Sequence, residues 1–460
     1  MDINKPHSDI ACHHERWDIN ADVTGGHYPV KAKGRKYLPR AYSEQTPEEY
    51  QAFKDHVSFY PAANRTLTGL LGLMFRRAPV LENNGIIESS LKNAITRDGK
   101  TINDLAKEVA RSYLRTAYHG LLVDHPAGSA TSAGEAIEQG IRPYVLQYPA
   151  HALLELRRGL VGNRQGLTYV RVLDDEETVR VLELLQGIYT VTIWRKIDET
   201  FVPDAPITPR RNGQPLSEIP FVLISEDDAL TPEPSIMDHV VQLNLDHYRT
   251  QGLLTSCHMF ISTPMLFAKG LQKNEIDQLT LSPGAILACE DWEADMKWVA
   301  PSGDGIPSLE RQLERTEDKL AVVASRILAR QKAVAEAAET EALRQGAENS
   351  VLASIANHIS AKITQALQLV ALWTDGSEVH YQLNTDYLPA KMDASEISSL
   401  FTVYQGGGMS FESFFYALRD RGVHNETLTL NEELSRLTSR LSNSPIQSDE
   451  SKPSIDAPPS

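Results

Sequence analysis

The stretch most suggestive of chemistry is a relaxed match to the phosphate-binding loop at residues 94–101, AITRDGKT, with alanine at the first glycine position. A true loop joins a buried strand to a helix, so that free backbone N–H groups surround phosphate. Here the preceding IIESSLKNAI is polar and helix-like, and Asp98 would place an anion beside the phosphates. We therefore interpret Gly99-Lys100-Thr101 as a capped helix start, with a nucleotide-binding enzyme as the alternative.

Two short clusters contain residue types that bind metals, Cys12-His13-His14 and Cys257-His258. A zinc site needs four such groups in a set spacing, and neither cluster has its second pair. The motifs HExxH, GxSxG and GxGxxG do not occur in the sequence. Carboxylates are plentiful, but the sequence does not show that two of them converge, so acid–base catalysis has no specific support. The sequence predicts no enzyme, no catalytic residue, no metal site and no cofactor.

Composition restricts the class of protein further. The 460-residue chain has a formal net charge of -16, which argues against a general nucleic-acid binder because such proteins usually present a basic face. Its three cysteines are too few and too scattered for a disulfide framework, which indicates a reducing compartment. No apolar run approaches the roughly 18 residues needed to span a bilayer, and no signal-peptide pattern opens the chain. We expect a soluble, intracellular protein without a membrane partner.

The elements that would position any site alternate between helical and strand-rich blocks. Capping patterns at Thr46/Glu49 and Thr101/Asp104 mark helix starts, and β-branched or aromatic runs mark strands. The order of helices, then strands, then helices again favours an α+β fold. The predicted elements of the first half are a flexible lead at 1–16, helices at 46–58, 62–76 and 102–120, a short strand at 121–124, and a strand-rich block at 142–226.

The second half centres on a long helix that ends at Trp373. An apolar stripe runs along it at helical spacing, and its opposite face is polar, with Asn357, Ser360 and Thr364. Gly346 invites a bend near its start. The stripe comprises Leu352, Ile355, Ile359, Ile363, Leu367 and Val370. The other predictions are a helix begun by Ser235 and Asp238, strands at 259–267, 285–289 and 295–300, a helix from Pro307 to Lys332, a strand at 378–383, and helices begun by Asp393, Ser410 and Leu430.

The helix from Leu309 to Lys332 has charges of opposite sign on its two flanks. Its apolar positions, which include Leu313 and Leu320, share one face between those flanks. Opposite flanks of opposite sign suit a head-to-tail ring, whereas a solvated helix face is the simpler interpretation. The acidic flank carries Glu310, Glu314, Glu317 and Asp318, and the basic flank carries Arg311, Arg315, Lys319 and Arg326.

Residues 17–441 resemble portal proteins of tailed double-stranded-DNA bacteriophages. The resemblance rests on the order of four stretches, which are YLPRAYSEQTPEEYQAFKDHVSFYPAANRTLTGLLGLMFRRAPVL, DGKTINDLAKEVARSYLRTAYHGLLVDHP, SIMDHVVQLNLDHYRTQGLL and ETEALRQGAENSVLASIANHISAKITQALQLVALW. It implies a ring, usually of twelve subunits, at one capsid vertex. DNA is pumped in through this ring by the terminase motor and later leaves through it.

The resemblance also implies a division of the chain into parts. The clip would contact terminase and then the head–tail adaptor, within a virion that also contains capsid and scaffolding proteins. The implied parts are a wing at 17–233, a first stem helix at 234–258, a clip at 259–303, a second stem helix at 304–328, a tunnel loop at 329–340, a long wing helix at 341–375 and a wing or crown region at 376–441. Beyond the resemblance, the tail at 442–460 is rich in serine, proline and acid, and this composition predicts disorder.

In such a ring, the flank residues Glu310, Glu314, Asp318, Arg311, Arg315 and Lys319 would form stem contacts between subunits. Arg330, Lys332 and Arg344 would be the cations nearest to DNA. An acidic conduit suits sliding, because each tight phosphate contact adds salt-dependent affinity that would slow passage. A different virion component, such as an adaptor or scaffold protein, is the other alternative.

Overall fold

The computed structural model describes residues 2–83, 94–126, 142–211, 213–262, 265–269, 295–299, 303–328, 351–373, 378–387, 394–420, 430 and 433–436. The chain divides into two units, Met1–Thr385 and Asp386–Ser460. Helices and several sheets build the first unit, which confirms the α+β prediction. The α-helices are α1 Ser8–Ala11, α2 His14–Gly25, α3 His27–Ala32, α4 Pro47–His56, α5 Ala62–Met74, α6 Ile102–Thr116, α7 Asp238–Ser262, α8 Ile306–Leu328, α9 Val351–Trp373, α10 Ala394–Gln405 and α11 Phe411–Asp420.

Antiparallel pairing joins the strands into small sheets. A three-stranded sheet has the order β11-β2-β3, and a five-stranded meander runs in sequence order from β4 to β8. Three two-stranded sheets pair β1 with β14, β9 with β10 and β12 with β13. The strands are β1 Val80–Asn83, β2 Tyr118–Asp124, β3 Tyr144–Pro149, β4 Leu153–Val161, β5 Arg164–Asp175, β6 Thr178–Leu185, β7 Ile188–Ile197, β8 Thr200–Pro203, β9 Arg210–Arg211, β10 Gln214–Pro215, β11 Phe221–Ser225, β12 Met265–Lys269, β13 Asp295–Val299 and β14 Val379–Gln382.

The two larger sheets share one apolar core with the N-terminal helices. Leu122 and Tyr148 from the three-stranded sheet pack in the same cluster as Val170 and Leu182 from the meander. Trp17 of α2 is fully buried there and stacks on the ring of Tyr118 at 6.0 Å. Burial of such large apolar side chains is the main driving force for joining the sheets.

The N-terminal residues are part of this fold, so the prediction of a flexible lead at 1–16 is wrong for residues 2–16. The His7 N–H donates to the Leu154 carbonyl at 2.8 Å, and the Arg171 guanidinium donates to the Lys5 carbonyl at 3.1 Å. Ile10 is buried in the shared core. The side-chain pattern could not predict the hydrogen bonds of His7 and Lys5, because both use only backbone groups of the lead.

Both predicted capping boxes at the helix starts are present. Thr46 and Glu49 bond reciprocally at the start of α4, and Thr101 and Asp104 do so at the start of α6. The predicted end of α6 at Gly120 is wrong, because the helix ends at Thr116 and β2 begins at Tyr118. β2 is the central strand of its sheet, and pairing on both edges outweighs the helical continuation.

Helix α9 buries its predicted apolar stripe, except that Ile355 is half-buried. The sequence predicted an exposed polar face, but Ser360 and Thr364 on that face are buried against β14. The Ser360 hydroxyl accepts the Leu383 N–H at 3.0 Å, and the Thr364 hydroxyl accepts the Tyr381 N–H at 3.0 Å. These two hydroxyls satisfy backbone groups on one edge of β14.

The wing or crown region at 376–441 stays a prediction, and the structure places its first element in the first unit. Its predicted strand is β14, which pairs with β1 and belongs to the first unit, and the boundary falls after Thr385. In the second unit α10 and α11 pack through aromatic rings, with Tyr404 stacked on Phe414 at 4.8 Å. Gly407 turns the chain between them with a φ of 76°. Asp393, Gly346, the candidate strand 285–289 and the tail 442–460 lie outside the described residues.

Candidate subunit interface on the helical hairpin

Helices α7 and α8 form an antiparallel hairpin. Its register is defined by three contacts along its length. His247 Nε2 lies 3.0 Å from Glu317 Oε1, and the Gln312 amide donates to the Thr250 hydroxyl at 3.5 Å. Near the far end, a Cβ built on Gly303 would lie 3.5 Å from Ile261 Cδ1. These contacts extend from His247 to Ile261 along α7 and from Glu317 back to Gly303 just before α8.

One face of α7 anchors the hairpin to the helical part of the first unit. Val241, Leu245 and Tyr248 are buried on it, and burial raises the pKa of Tyr248 to about 12. Gly252 allows a close approach, since a Cβ there would lie only 2.6 Å from Leu38 Cδ1. Asn244 is also fully buried on this face and bonds to Tyr60 in the loop before α5 and to Ala63 in its first turn.

The start of α7 follows its predicted capping pattern with a shift. The Ser235 hydroxyl donates to the Asp238 carboxylate at 2.7 Å, and the helix begins at Asp238 rather than at residue 234. It continues to Ser262, so residues 259–262 are helical where a strand and the start of the clip were expected. The segment 250–262 carries no charged side chain, and Leu253 and Phe260 on it are exposed.

Helix α8 presents the predicted face to α7. Leu313 and Leu320 are buried, and Thr316 between them is buried as well. The Ile327 side chain lies outside the described set. The charged residues stand on the two sides of this face and are exposed, as the helical wheel predicts for Glu310, Glu314, Asp318, Arg311, Arg315 and Lys319.

Most of these exposed charges form no ion pair with another described residue. Glu317 contacts His247, and the Arg311 guanidinium donates to the Pro307 carbonyl at 3.0 Å. Among the residues that the structure describes, no ion pair involves the other flank charges, which are Glu310, Glu314, Asp318, Arg315 and Lys319. Two flanks of opposite sign, whose charges mostly lack an ion pair in the described part of the chain, form a surface that a second charged surface can complement.

The β12–β13 pair continues from the hairpin. The two strands pair from Met265 with Val299 to Lys269 with Asp295. Phe267 is half exposed, and the Lys297 ammonium lies 5.7 Å from its ring centroid. Two of the three predicted strands of this segment are therefore present and pair with each other. β13 lies within the predicted range 295–300, whereas β12 begins and ends later than the predicted strand at 259–267.

The predicted DNA-proximal cations Arg330, Lys332 and Arg344 lie outside the described residues, as does the tunnel-loop segment 329–340. Sequence reasoning missed Asn244 and His247, two of the buried polar residues of α7. A signal was present, because Asn244 and His247 interrupt the apolar positions of a helix that starts with a capping pattern. The neighbouring sequence does not reveal the hydrogen-bond partners of Asn244 and His247, because those partners are distant in the chain.

In the segment that resembles a phosphate-binding loop, the side chains of Lys100 and Thr101 are bonded to nearby carboxylates. Lys100 Nζ lies 2.9 Å from Glu108 Oε1 and 3.0 Å from Asp98 Oδ2, and these hydrogen bonds raise the pKa of Lys100. The Thr101 hydroxyl donates to Asp104 Oδ2 at 2.7 Å. The lysine and threonine that would bind phosphate and magnesium thus pair with carboxylates, which favours the capped-helix interpretation.

The described residues form neither a metal cluster nor a membrane-spanning helix. No group of three or more His, Cys, Asp or Glu side chains there could hold a metal ion, and Cys12 is exposed while Cys257 is half-buried. Of the helices described, none combines the length and apolarity needed to cross a bilayer.

Residues 237–374, which run from α7 through α9, match a family described as a domain of unknown function, DUF4055. No curated protein matches the sequence. Among solved structures, a chain from the virion of a native gene transfer agent particle aligns with 84% of this chain and 96% of its own length, at 11% identity and a TM-score of 0.42. A chain from the neck of the empty particle, computed with C6 symmetry, aligns with 85% and 98%, at 13% identity and a TM-score of 0.41. A chain from the neck of the native particle, computed with C12 symmetry, aligns with 85% and 99%, at 11% identity and a TM-score of 0.40.

Proposed function

We propose that the protein is a portal protein, a ring that serves as the conduit for double-stranded DNA during packaging and ejection. The observation that carries the proposal is the antiparallel α7–α8 hairpin, which leads into the paired strands β12 and β13 and is followed by the long helix α9. This order agrees with the stem, clip and wing helix that the sequence resemblance implies.

The hairpin also supplies a means of forming a ring. Exposed acidic and basic flanks on α8 lie on either side of one buried face, so the acidic flank of one subunit can meet the basic flank of the next. Such a head-to-tail contact is heterologous, and it closes into a ring when the rotation between neighbours is right. We propose Glu310, Glu314 and Asp318 facing Arg311, Arg315 and Lys319 of the neighbour, in a ring of twelve.

A channel through which DNA moves must not bind the phosphates of DNA tightly. A protein that neutralises many phosphates binds DNA tightly and with strong salt dependence, which would hinder translocation. The net charge of -16 keeps such contacts few. Within the proposal, the segment 329–340 lines the channel and Arg330, Lys332 and Arg344 are the cations nearest to DNA.

The proposed partners follow the same division of the chain. The β12–β13 region would contact terminase during packaging and the head–tail adaptor afterwards, and the outer part would contact capsid and scaffolding proteins. The ring would assemble in the host cytoplasm and remain at one vertex of the virion. It would need no cofactor and no catalysis of its own, because the terminase motor supplies the energy.

Negative-stain electron microscopy of the purified full-length chain tests the proposal. We expect rings with a central hole, with a solution mass that is a whole multiple of the subunit mass. A monodisperse monomer under conditions that favour assembly contradicts it. Calorimetric titration with a nucleotide and magnesium tests the alternative, and we expect no heat of binding because Lys100 is held by Asp98 and Glu108.

A further inference from the structure

The five-stranded meander β4–β8 has two ends of opposite character. Consecutive antiparallel strands reverse direction, so its hairpin turns alternate between the ends. The turns at residues 162–163 and 186–187 lie at one end, here called the basic end. The turns at 176–177 and 198–199 lie at the other, here called the acidic end.

The basic end is an arginine-bearing ribbon with apolar tips. Pairing of β5 with β6 starts at Tyr169, whereas its pairing with β4 reaches Arg164, so residues 158–167 extend as two strands. Residues 157–168 contain three arginines and no acid in a chain of net charge -16. Leu160 is 75% exposed at the ribbon's tip, and Leu185 is 50% exposed at the neighbouring turn.

Two of these arginines form no ion pair with another described residue. Arg157 is engaged by the Glu155 carboxylate and lies over the Tyr169 ring. Arg158 and Arg164 are exposed and form no ion pair within the described ranges of the chain. The ribbon therefore offers free cations beside apolar side chains, a combination that suits an acidic protein surface with apolar residues of its own.

The acidic end has this complementary character. Glu176 and Glu177 are exposed at one turn, Asp198 is exposed at the other, and the nearby Ile197 is 54% exposed. The basic side chains near this end are already paired, with Lys196 Nζ 2.7 Å from Glu199 and Arg195 Nε 3.0 Å from Asp204. Unpaired charge at this end is therefore mainly negative.

We propose that the basic end of the meander docks onto the acidic end of a second copy of the chain, as a head-to-tail contact separate from the hairpin. Two like ends repel, whereas unlike ends match in charge and bring Leu160 and Leu185 toward Ile197. Nucleic acid is the less suitable occupant because it would leave these apolar tips uncovered. The contact relates to the proposed ring only in that both require copies of the chain to associate.

The test uses two full-length variants with matched ends. Arg158→Glu with Arg164→Glu makes both ends acidic, and Glu176→Arg with Glu177→Arg makes both ends basic. Sedimentation velocity should show each variant associating at least about tenfold more weakly than the natural chain, because like ends meet. An equimolar mixture should recover association, since each variant supplies what the other lacks. A chain that carries all four changes should also recover.

Controls separate the contact from misfolding and from general charge effects. Lys107→Glu with Arg111→Glu reverses two exposed charges on α6 and should leave association unchanged. Leu160→Ser removes an exposed apolar group without changing charge, and it should weaken association with an unaltered circular-dichroism melt.

Natural-like association of both end variants, or no recovery on mixing, overturns the inference. It is equally overturned if Arg158→Glu with Arg164→Glu lowers binding to a double-stranded DNA fragment while sedimentation is unchanged. These outcomes are distinct from failure of the proposed function, because rings in micrographs of the end variants would retain the portal proposal. Charge-dependent association without any ring in the natural chain would retain this contact alone.

Discussion

The side-chain oxygen of Asn244 accepts a hydrogen bond from the backbone N–H of Ala63 at 2.9 Å, joining residues 181 positions apart. The Asn244 amide group also donates to the Tyr60 carbonyl at 2.8 Å. Helix α5 begins at Ala62 after Pro61, which offers no side-chain cap, so Asn244 performs the capping from α7. The hairpin is thereby tied to the start of α5.

Replacing Asn244 with alanine should lower the free energy of unfolding by roughly 2–3 kcal/mol, because a buried donor and a buried acceptor lose their partner. Urea denaturation of the two proteins measures the difference. Gln242→Ala, on the exposed side of the same helix, is the control and should change stability by less than about 0.5 kcal/mol. If Asn244→Ala changes the free energy of unfolding as little as Gln242→Ala does, the cap is not stabilising.

Gly120 lies where two side chains close over β2. A Cβ at this position would come within 2.3 Å of Phe221 Cζ and 3.0 Å of Leu153 Cδ2, and both side chains are buried. Gly120→Ala should therefore destabilise the protein by about 1–3 kcal/mol through overpacking. Gly69→Ala, in the exposed part of α5 with no atom within 4 Å, should instead stabilise it by about 0.5–1 kcal/mol. Thermal melts should show a lower melting temperature for Gly120→Ala and a higher one for Gly69→Ala. Stabilisation by Gly120→Ala would contradict the close packing.

Burial lowers the pKa of His119 to about 3, and its Nδ1 lies 2.9 Å from the Ser112 hydroxyl. The unfolded chain binds a proton at this residue below about pH 6.5, whereas the folded chain does not until about pH 3. Stability from this residue is thus present above pH 6.5 and is lost as pH falls toward 3, with a slope of up to about 1.4 kcal/mol per pH unit.

His119→Gln should reduce that slope between pH 6 and 4, as measured by urea titrations at each pH. Burial also lowers the pKa of His14 and His358, so both proteins should retain part of the dependence. His239→Gln changes an exposed histidine and should leave the slope intact. An unchanged slope in His119→Gln would show that His119 does not contribute to acid sensitivity.

Arg315 tests the proposed contact on the hairpin. Arg315→Glu places a like charge against the neighbour's acidic flank, so assembly should weaken at least about tenfold, or about 1.4 kcal/mol. Arg315→Lys keeps the charge and should assemble nearly as the natural chain does. Mass photometry over a salt series should show the greatest difference at low ionic strength. Assembly of Arg315→Glu at the natural level would remove the reason for a contact at this flank.

Local patterns determined much of the helical architecture. The boxes at Thr46/Glu49 and Thr101/Asp104 are formed by residues three apart, so their chemistry is complete within one turn of chain. The buried stripe of α9 and the buried face of α8 follow from helical periodicity in the same way. For the candidate interface, spacing alone predicted that Arg315 and Glu314 stand on opposite flanks and are exposed.

The tertiary structure decided the features whose partners are distant in sequence. The end of α6 at Thr116, the docking of residues 2–16 and the pairing of β1 with β14 each depend on strands or helices from elsewhere in the chain. Asn244 looks like an ordinary polar helical residue until Ala63 is placed beside it. Sequence by itself determined the capped or strongly periodic helices and their apolar faces, because those depend on neighbours within a turn, but it missed the helices of residues 8–25. Only the folded chain determined which buried polar groups bond to one another, because those partners come together only when the core forms.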